Sequence, residues 1–455
     1  MNRRGLLASI VICGMFPGIN ASAETLKEAL AKAYLSNPTL LSARAELRAT
    51  DEGVSEAISG WRPTLSFRYD IGKSKNDSNT TSSLSGSSQN RTPKTGSVSV
   101  EQNVFNGWRT QSGIETAEQS VLSQRAQLSS TEQSIMLNAG TAFMDVIRDE
   151  AVLKLNQANE RVLGRQLEAT RDRFEVGEVT RTDVAQAESR LSRAKADRIE
   201  SEGSLTISRA AYRSIIGDFP GTLKSAGPLE GLPATKDEAK ASAKAGNPDV
   251  VAALHNERAA KIAIRTAEGA LYPTVNLEGE LARRDQASSS SSRTEAASIT
   301  ASVTVPLYQA GAVSSRIRAA KQSWSQERRD LDAAIRSAVQ EAAQSWERYA
   351  TARAQVSAFS AEVRAAEIAL EGVKQEAQVG SRTVLDVLDA EQELRDARVS
   401  LVRARRDVTV ASFEVRRAVG TLVASRLALS VELYDPSKNY KTYRDRWFGT
   451  SIGTK

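Results

Sequence analysis

The chain has 455 residues, with 61 Lys and Arg against 55 Asp and Glu, a net charge of +6, one histidine and one cysteine. His255 and Cys13 alone cannot supply a zinc centre, thiol catalysis or Ser-His-Asp chemistry, so no catalytic residue, metal or cofactor is expected. The basic residues are interleaved with acids and form no block, which argues against a nucleic-acid partner.

Residues 1–23 read as a secretory signal peptide. Arg3 and Arg4 give a basic start, Gly5 to Ile19 an apolar run, and Ala21-Ser22-Ala23 a small-residue cleavage site. Cys13 lies inside it, and Ile12 stands where a lipoprotein signal needs a small residue. Removal of Arg3 and Arg4 lowers the net charge to +4. No run of about 18 apolar residues follows, so no membrane-spanning helix is expected. The mature chain therefore belongs to the periplasm, the outer membrane or the exterior.

Two copies of one unit follow, at 24–219 and 236–422, joined by a linker at 220–235 and followed by a tail at 423–455. Each copy opens with a short amphipathic helix, near Leu26 to Ser36 and Lys236 to Gly246. Asn37-Pro38 and Asn247-Pro248 then break the chain and start a fresh helix with proline in its first turn.

After Pro63 the apolar period changes from 3.6 to 2. Strands are expected near 64–71 and 97–105, and again near 274–281 and 299–307. Leu65, Phe67, Tyr69 and Ile71 alternate with polar residues, as do Val98, Val100 and Val104. In the second copy Val275, Leu277 and Leu281, then Ile299, Ala301, Val303, Val305 and Leu307, do the same. Such runs suit a tilted bilayer-crossing strand or a half-buried strand of a soluble sandwich. Two contexts favour the membrane. Long polar loops, Gly72 to Gly96 and Ala282 to Ser298, join the strands of each pair. Trp61, Phe105, Trp108, Tyr272 and Tyr308 sit at the opposite strand ends, as an interfacial aromatic girdle facing outer-membrane lipid would.

Long hairpins are expected at 107–216 and 311–420. Each has an outgoing helix of about seventy residues, roughly 100 Å at 1.5 Å per residue. Gly177 and Gly380 turn the chain, and a shorter helix returns. The return helix makes up the length only if it stacks end to end on the helix after the Asn-Pro step. In the second copy Val387, Leu394, Leu401, Val408 and Val415 recur every seven residues, with alanine three places after each. One large and one small residue per heptad is a close-packed coiled-coil seam. The first copy follows the pattern except at Arg198.

Four strands cannot close a barrel, and an open edge inside a bilayer has no water to satisfy it. Two copies would give eight strands with a filled interior, and three would give twelve, the smallest assembly with an aqueous lumen. The expected fold is therefore mainly α with a transmembrane β-barrel. It is a homotrimer with a 12-stranded barrel, four strands per chain, continued by a long periplasmic α-helical coiled-coil barrel.

The hairpin tips carry the most specific repeat. Val176-Gly177, Thr180 and Asp183-Val184 return 203 residues later as Val379-Gly380, Thr383 and Asp386-Val387. With the duplicated strand-pair and long-helix unit, these tips resemble the TolC family of outer-membrane efflux channels over essentially the whole mature chain. The resemblance implies a trimer working with a periplasmic adaptor (membrane-fusion) protein and an inner-membrane efflux pump or ABC transporter. It covers relatives in drug efflux and in type I protein secretion. It also implies that Arg382 ties neighbouring hairpins shut, with Asp183 as partner. Ala377 stands where some members carry tyrosine, so part of that network is missing here.

Asp386 and Asp389 lie one turn apart at the start of the return helix, where threefold symmetry would stack two carboxylate rings at the mouth. Thr180-x-x-Asp183 and Thr383-x-x-Asp386 equally read as capping boxes. The functional reading is an outer-membrane channel giving a passive exit duct for drugs, detergents or proteins. The alternative is a soluble periplasmic coiled-coil scaffold or adaptor. No nucleotide-binding loop is apparent, and the chain is not expected to be an enzyme.

Overall fold

The computed structural model describes residues 23–78 and 87–452, so the signal peptide, apart from Ala23, lies outside the described residues. The first unit runs α1 (Leu26–Ser36), α2 (Pro38–Ser59), β1 (Thr64–Ile71), β2 (Ser74–Ser78), β3 (Ser87–Arg91), β4 (Lys94–Phe105), α3 (Arg109–Glu175) and α4 (Arg181–Ile216). The second runs α5 (Lys236–Gly246), α6 (Pro248–Glu268), a 3-10 turn (Gly269–Leu271), β5 (Thr274–Asp285), β6 (Arg293–Thr304), α7 (Ala312–Gln378) and α8 (Val384–Ala418). A short α9 (Lys438–Tyr443) lies in the tail.

Caps fix where these helices begin. The Asn37 side chain accepts from the Thr39 and Leu40 amides and its Nδ2 donates to the Ile215 carbonyl at 2.9 Å. Asn247 repeats this, accepting from Asp249 N and donating to the Ala418 carbonyl at 3.1 Å. Each Asn-Pro step thus caps the upper helix and takes a carbonyl left free at the end of the return helix. That bond stacks α4 under α2 and α8 under α6, which makes the two-piece partner of each long helix.

The heptad seam is buried as its spacing implies. Ala187, Ala194, Ser201 and Ser208 on α4, and Ala397, Ala404, Ala411 and Ala418 on α8, all face inward. Arg198, which interrupts the first seam, donates to Glu160 and Glu202 at 2.6 Å each, so its charge is paired. The main core sits higher, where α1, α2, α3 and the upper ends of α4 and α8 meet the tail. Phe143, Tyr212, Phe413, Met136, Leu30, Leu40 and Leu47 are fully enclosed there. Toward the hairpin tips the core thins to Leu163, Ala194 and Leu388.

The strands differ from expectation in length. β4 starts at Lys94 and β5 runs to Asp285, while β6 spans Arg293–Thr304 rather than 299–307. The β5–β6 hairpin extends through polar residues because Arg293 pairs with Asp285 at 2.7 Å and Arg283 with Glu295 at 3.6 Å. Pro306, which has no amide to donate, follows its end. Part of the first polar loop is itself a small hairpin, β2–β3.

The turn after α8 shows where glycine is required. Gly420 has φ +80°, and a Cβ there would overlap the Gly246 carbonyl. Gly380 has φ +81° with open space around it. Gly420→Ala should therefore cost about 3 kcal/mol, left-handed strain plus overlap. Gly380→Ala should cost only about 1–2 kcal/mol of left-handed strain. Urea midpoints of the helical signal in purified protein check the difference.

Candidate functional site

All four long strands form one antiparallel sheet in the order β1-β4-β5-β6, so the two units join through β4 and β5. The register aligns their apolar residues. Phe67, Val98, Leu281 and Ala297 form one row across the sheet, and Leu65, Val100, Gly279 and Ile299 the next. The other face is polar, with Ser66, Ser99, Glu280 and Ser298 in one row and Thr64, Glu101, Glu278 and Thr300 in another. Leu65, Phe67, Tyr69, Leu281, Ile299 and Val303 are all exposed. This is an amphipathic sheet whose apolar face is uncovered by the chain itself.

Sequence alternation places Val104 on the apolar face, and the register adds an irregularity at that point. A bulge between Asn103 and Phe105 leaves Val104 without a cross-strand partner and sets Phe105 opposite Val275. Phe105 packs edge-to-face on Trp108 at 5.6 Å. Trp61, Trp108, Tyr272 and Tyr308 are exposed at the same end of the strands. Among the described residues, the β1 and β6 edges have no partner strand.

At the far end of the long helices, each tip closes with the same hydrogen bonds. Glu178 N donates to Arg173 O at 2.9 Å and Ser381 N to Glu376 O at 3.0 Å, with Gly177 and Gly380 left-handed. Both threonine-aspartate pairs form capping boxes. The Asp183 and Asp386 carboxylates each accept from their threonine amide and hydroxyl at 2.8 Å. These bonds hold both carboxyls below their usual range.

Within the chain Arg382 does not reach Asp183. It donates to Glu376 at 2.9 Å, six residues back on its own hairpin, because the tight turn brings the two together. Asp389 is an exposed carboxylate on α8 that accepts from Arg190 on α4 at 2.5 Å. Glu376 and Arg190 went unmarked in the sequence. A further pair does carry a signal: Arg171–Glu188 links α3 to α4 and Lys374–Glu391 links α7 to α8, at equivalent places 203 residues apart. Glu188 and Glu391 are identical across the repeat, while their cationic partners differ.

The family described as "Outer membrane efflux protein" matches this chain over residues 29–218 and 241–421. The chain belongs to that family. The outer membrane efflux protein BepC of Brucella suis biovar 1 is 35% identical, over 97% of this chain and 95% of its own length. The outer membrane protein TolC of Vibrio cholerae is 28% identical, over 88% of this chain and 91% of its own. The Campylobacter jejuni CmeC outer membrane channel superimposes with a TM-score of 0.78 over 92% of this chain and 89% of its own, at 15% identity, and so supports the fold alone. The chain is an outer membrane efflux channel of tripartite efflux or type I secretion systems, with a periplasmic helical extension, and not an enzyme.

The capping boxes make the tips of this channel sensitive to acid. A carboxyl whose pKa is depressed by folding contributes stability above its unfolded value and loses it as the pH falls through the depressed one. Hydrogen exchange at the tip amides, corrected for intrinsic rates, should be flat near neutral pH. Protection at both tips should fall below the ordinary aspartate value of 3.8. Thr383→Ala should remove that acid response at the second tip and leave the first unchanged.

Proposed function

We propose that three copies close their sheets edge to edge into a twelve-stranded barrel and continue below it as a helical tube. The observation that carries this is the sheet itself: one continuous apolar face, one polar face and two unpartnered edges. In a bilayer such edges must be paired, and pairing β1 with β6 of the next copy uses both at once. The polar face then lines a water-filled lumen. We read residues 24–219 and 236–422 as the two repeat units of that wall, with 220–235 as linker and 423–455 as tail.

The duct is passive in this reading. An inner-membrane pump or ABC transporter delivers cargo through a periplasmic adaptor, which docks on the outer grooves of the hairpins. Drugs, detergents and secreted proteins all fit a lumen selected mainly by width and charge. Gly177 and Gly380 set the hairpin tips, which converge on the axis at the periplasmic mouth. There Asp386 and Asp389 supply rings of negative charge, with Arg190 partly offsetting Asp389. Arg382 sits at the same mouth and, on exchanging Glu376 for Asp183 of the next copy, links neighbouring hairpins. Trp61, Phe105, Trp108, Tyr272 and Tyr308 mark the periplasmic lipid boundary.

Planar-bilayer recording tests the gate. Arg382→Ala and Asp183→Ala should each raise single-channel conductance by loosening the closed mouth, and an unchanged current removes the link. Asp389→Asn should lower cation-over-anion selectivity measured by reversal potential in a salt gradient. Unaltered selectivity would take Asp389 off the conduction path.

A further inference from the structure

The tail is built onto the upper body rather than trailing from it. Arg44 is sandwiched between the Tyr34 and Tyr434 rings, 4.4 and 5.1 Å from their centroids. Asn439 donates to Asp51 at 3.2 Å, and Arg444 pairs with Glu118 at 3.3 Å. Ser55 donates to the carbonyls of Tyr443 and Arg444 at 2.8 and 3.1 Å. The chain from Tyr434 to Arg444 is thereby laid along α2 toward β1.

The last step of this path reaches the strand. Arg62, separated from β1 only by Pro63, donates to the Arg446 carbonyl at 2.7 Å and lies 4.9 Å from the Trp447 ring centroid. Arg446 then ties the tip into a loop, with Nε bonded to Phe448 O at 2.9 Å and its Nη atoms to Ser451 O and Oγ at 3.1 and 3.0 Å. The loop presents an apolar edge that no other described residue covers. Trp447 is 58% exposed, Phe448 84% and Ile452 85%. An ordered, hydrogen-bonded loop with its three apolar side chains outward needs an apolar partner.

We infer that residues 447–452 are a membrane-interface anchor, inserting Trp447, Phe448 and Ile452 among the phospholipids of the periplasmic leaflet. This rests on the reading of the four-stranded sheet as membrane-spanning. The partner follows from position: Arg62 fixes the loop just below Leu65 and Phe67, where the exposed apolar band of the sheet begins. Trp61 and Trp108 stand at the same level of the chain, so the loop prolongs the aromatic boundary. Lys441 is exposed on the approach, and cations there would meet lipid phosphates as the aromatic rings enter the boundary. The tail would set the depth of the channel in the bilayer from the side of α2, a position no strand residue occupies.

Cys13 is the single cysteine and lies in the leader, so secreted protein can carry one chosen thiol. Full-length secreted protein with Phe448→Cys, nitroxide-labelled, is placed in nanodiscs of phosphatidylethanolamine and phosphatidylglycerol. Collision with oxygen is compared with collision with an aqueous nickel complex. Phe67→Cys on the sheet and Val379→Cys at the hairpin tip give the lipid and water references, both positions being exposed in the chain. The expected result is a ratio at 448 shifted toward oxygen, between the two references and clearly away from 379. A water-like ratio at 448 with a lipid-like one at 67 overturns the anchor alone. Shielding from both probes means that a second copy covers the loop, and also overturns it. A water-like ratio at 67 overturns the spanning sheet and the anchor together.

Discussion

The backbone donors and acceptors along the outer edges of β1 and β6 are the constraint on which the rest depends. Inside hydrocarbon each unpaired amide or carbonyl costs several kcal/mol, and a row of them is not tolerated. The chain pairs β4 with β5 and so reduces four hairpin edges to two, but it cannot pair the last two with each other. In the proposed barrel, that unmet hydrogen bonding makes assembly a condition of insertion. It also links the membrane part to the periplasmic part. Every strand that joins a ring brings a helix with it, and the helices must then form a wall of the same order.

Packing is distributed to suit such a wall. Large side chains concentrate near the junction, where Phe143, Tyr212 and Phe413 lock the upper helices to α3. Below it alanine and serine fill the seam, so helices approach closely and the wall stays thin. Toward the tips the apolar core thins to a small cluster around Leu163 and Leu388, and exposed ion pairs such as Arg171–Glu188 and Arg382–Glu376 supplement it. Exposed pairs are worth at most about 1 kcal/mol each. The tips are therefore the part of the rod most readily rearranged, while the junction stays fixed. The gate proposed at the tips and a rigid body at the membrane would both draw on this one gradient of side-chain size.

Local periodicity made the helices, the strands and the heptad seam legible, because each is written in residues that are near neighbours in sequence. The capping boxes at Thr180 and Thr383 were legible for the same reason. What escaped is long-range. Pairing of β4 with β5 joins residues about 180 positions apart and leaves no local trace. The bulge at Val104 sets Phe105 opposite Val275, which alternation cannot foresee. Within one chain the tight turn offers Arg382 the nearer carboxylate of Glu376, a contact that no spacing pattern marks. Arg190, which reaches Asp389 on the other hairpin, has the oppositely charged Glu393 at its repeat position, so the duplication gives no cue to the pair. The tail has no repeat and no period at all. Its path became visible only through Arg44, Asn439 and Arg62, which hold it at side-chain distance.

The most direct measurement is covalent capture of the missing edge pair in native outer membranes. One cysteine is placed on β1 at Ser66 and a second is walked along β6 from Ser298 to Thr304, followed by mild oxidation and denaturing electrophoresis. Edge closure predicts that one register yields ladders of two and three linked chains with nothing larger, and that the linked species still conducts. Chains that remain single at every register, in membranes where the protein is fully inserted, would contradict it.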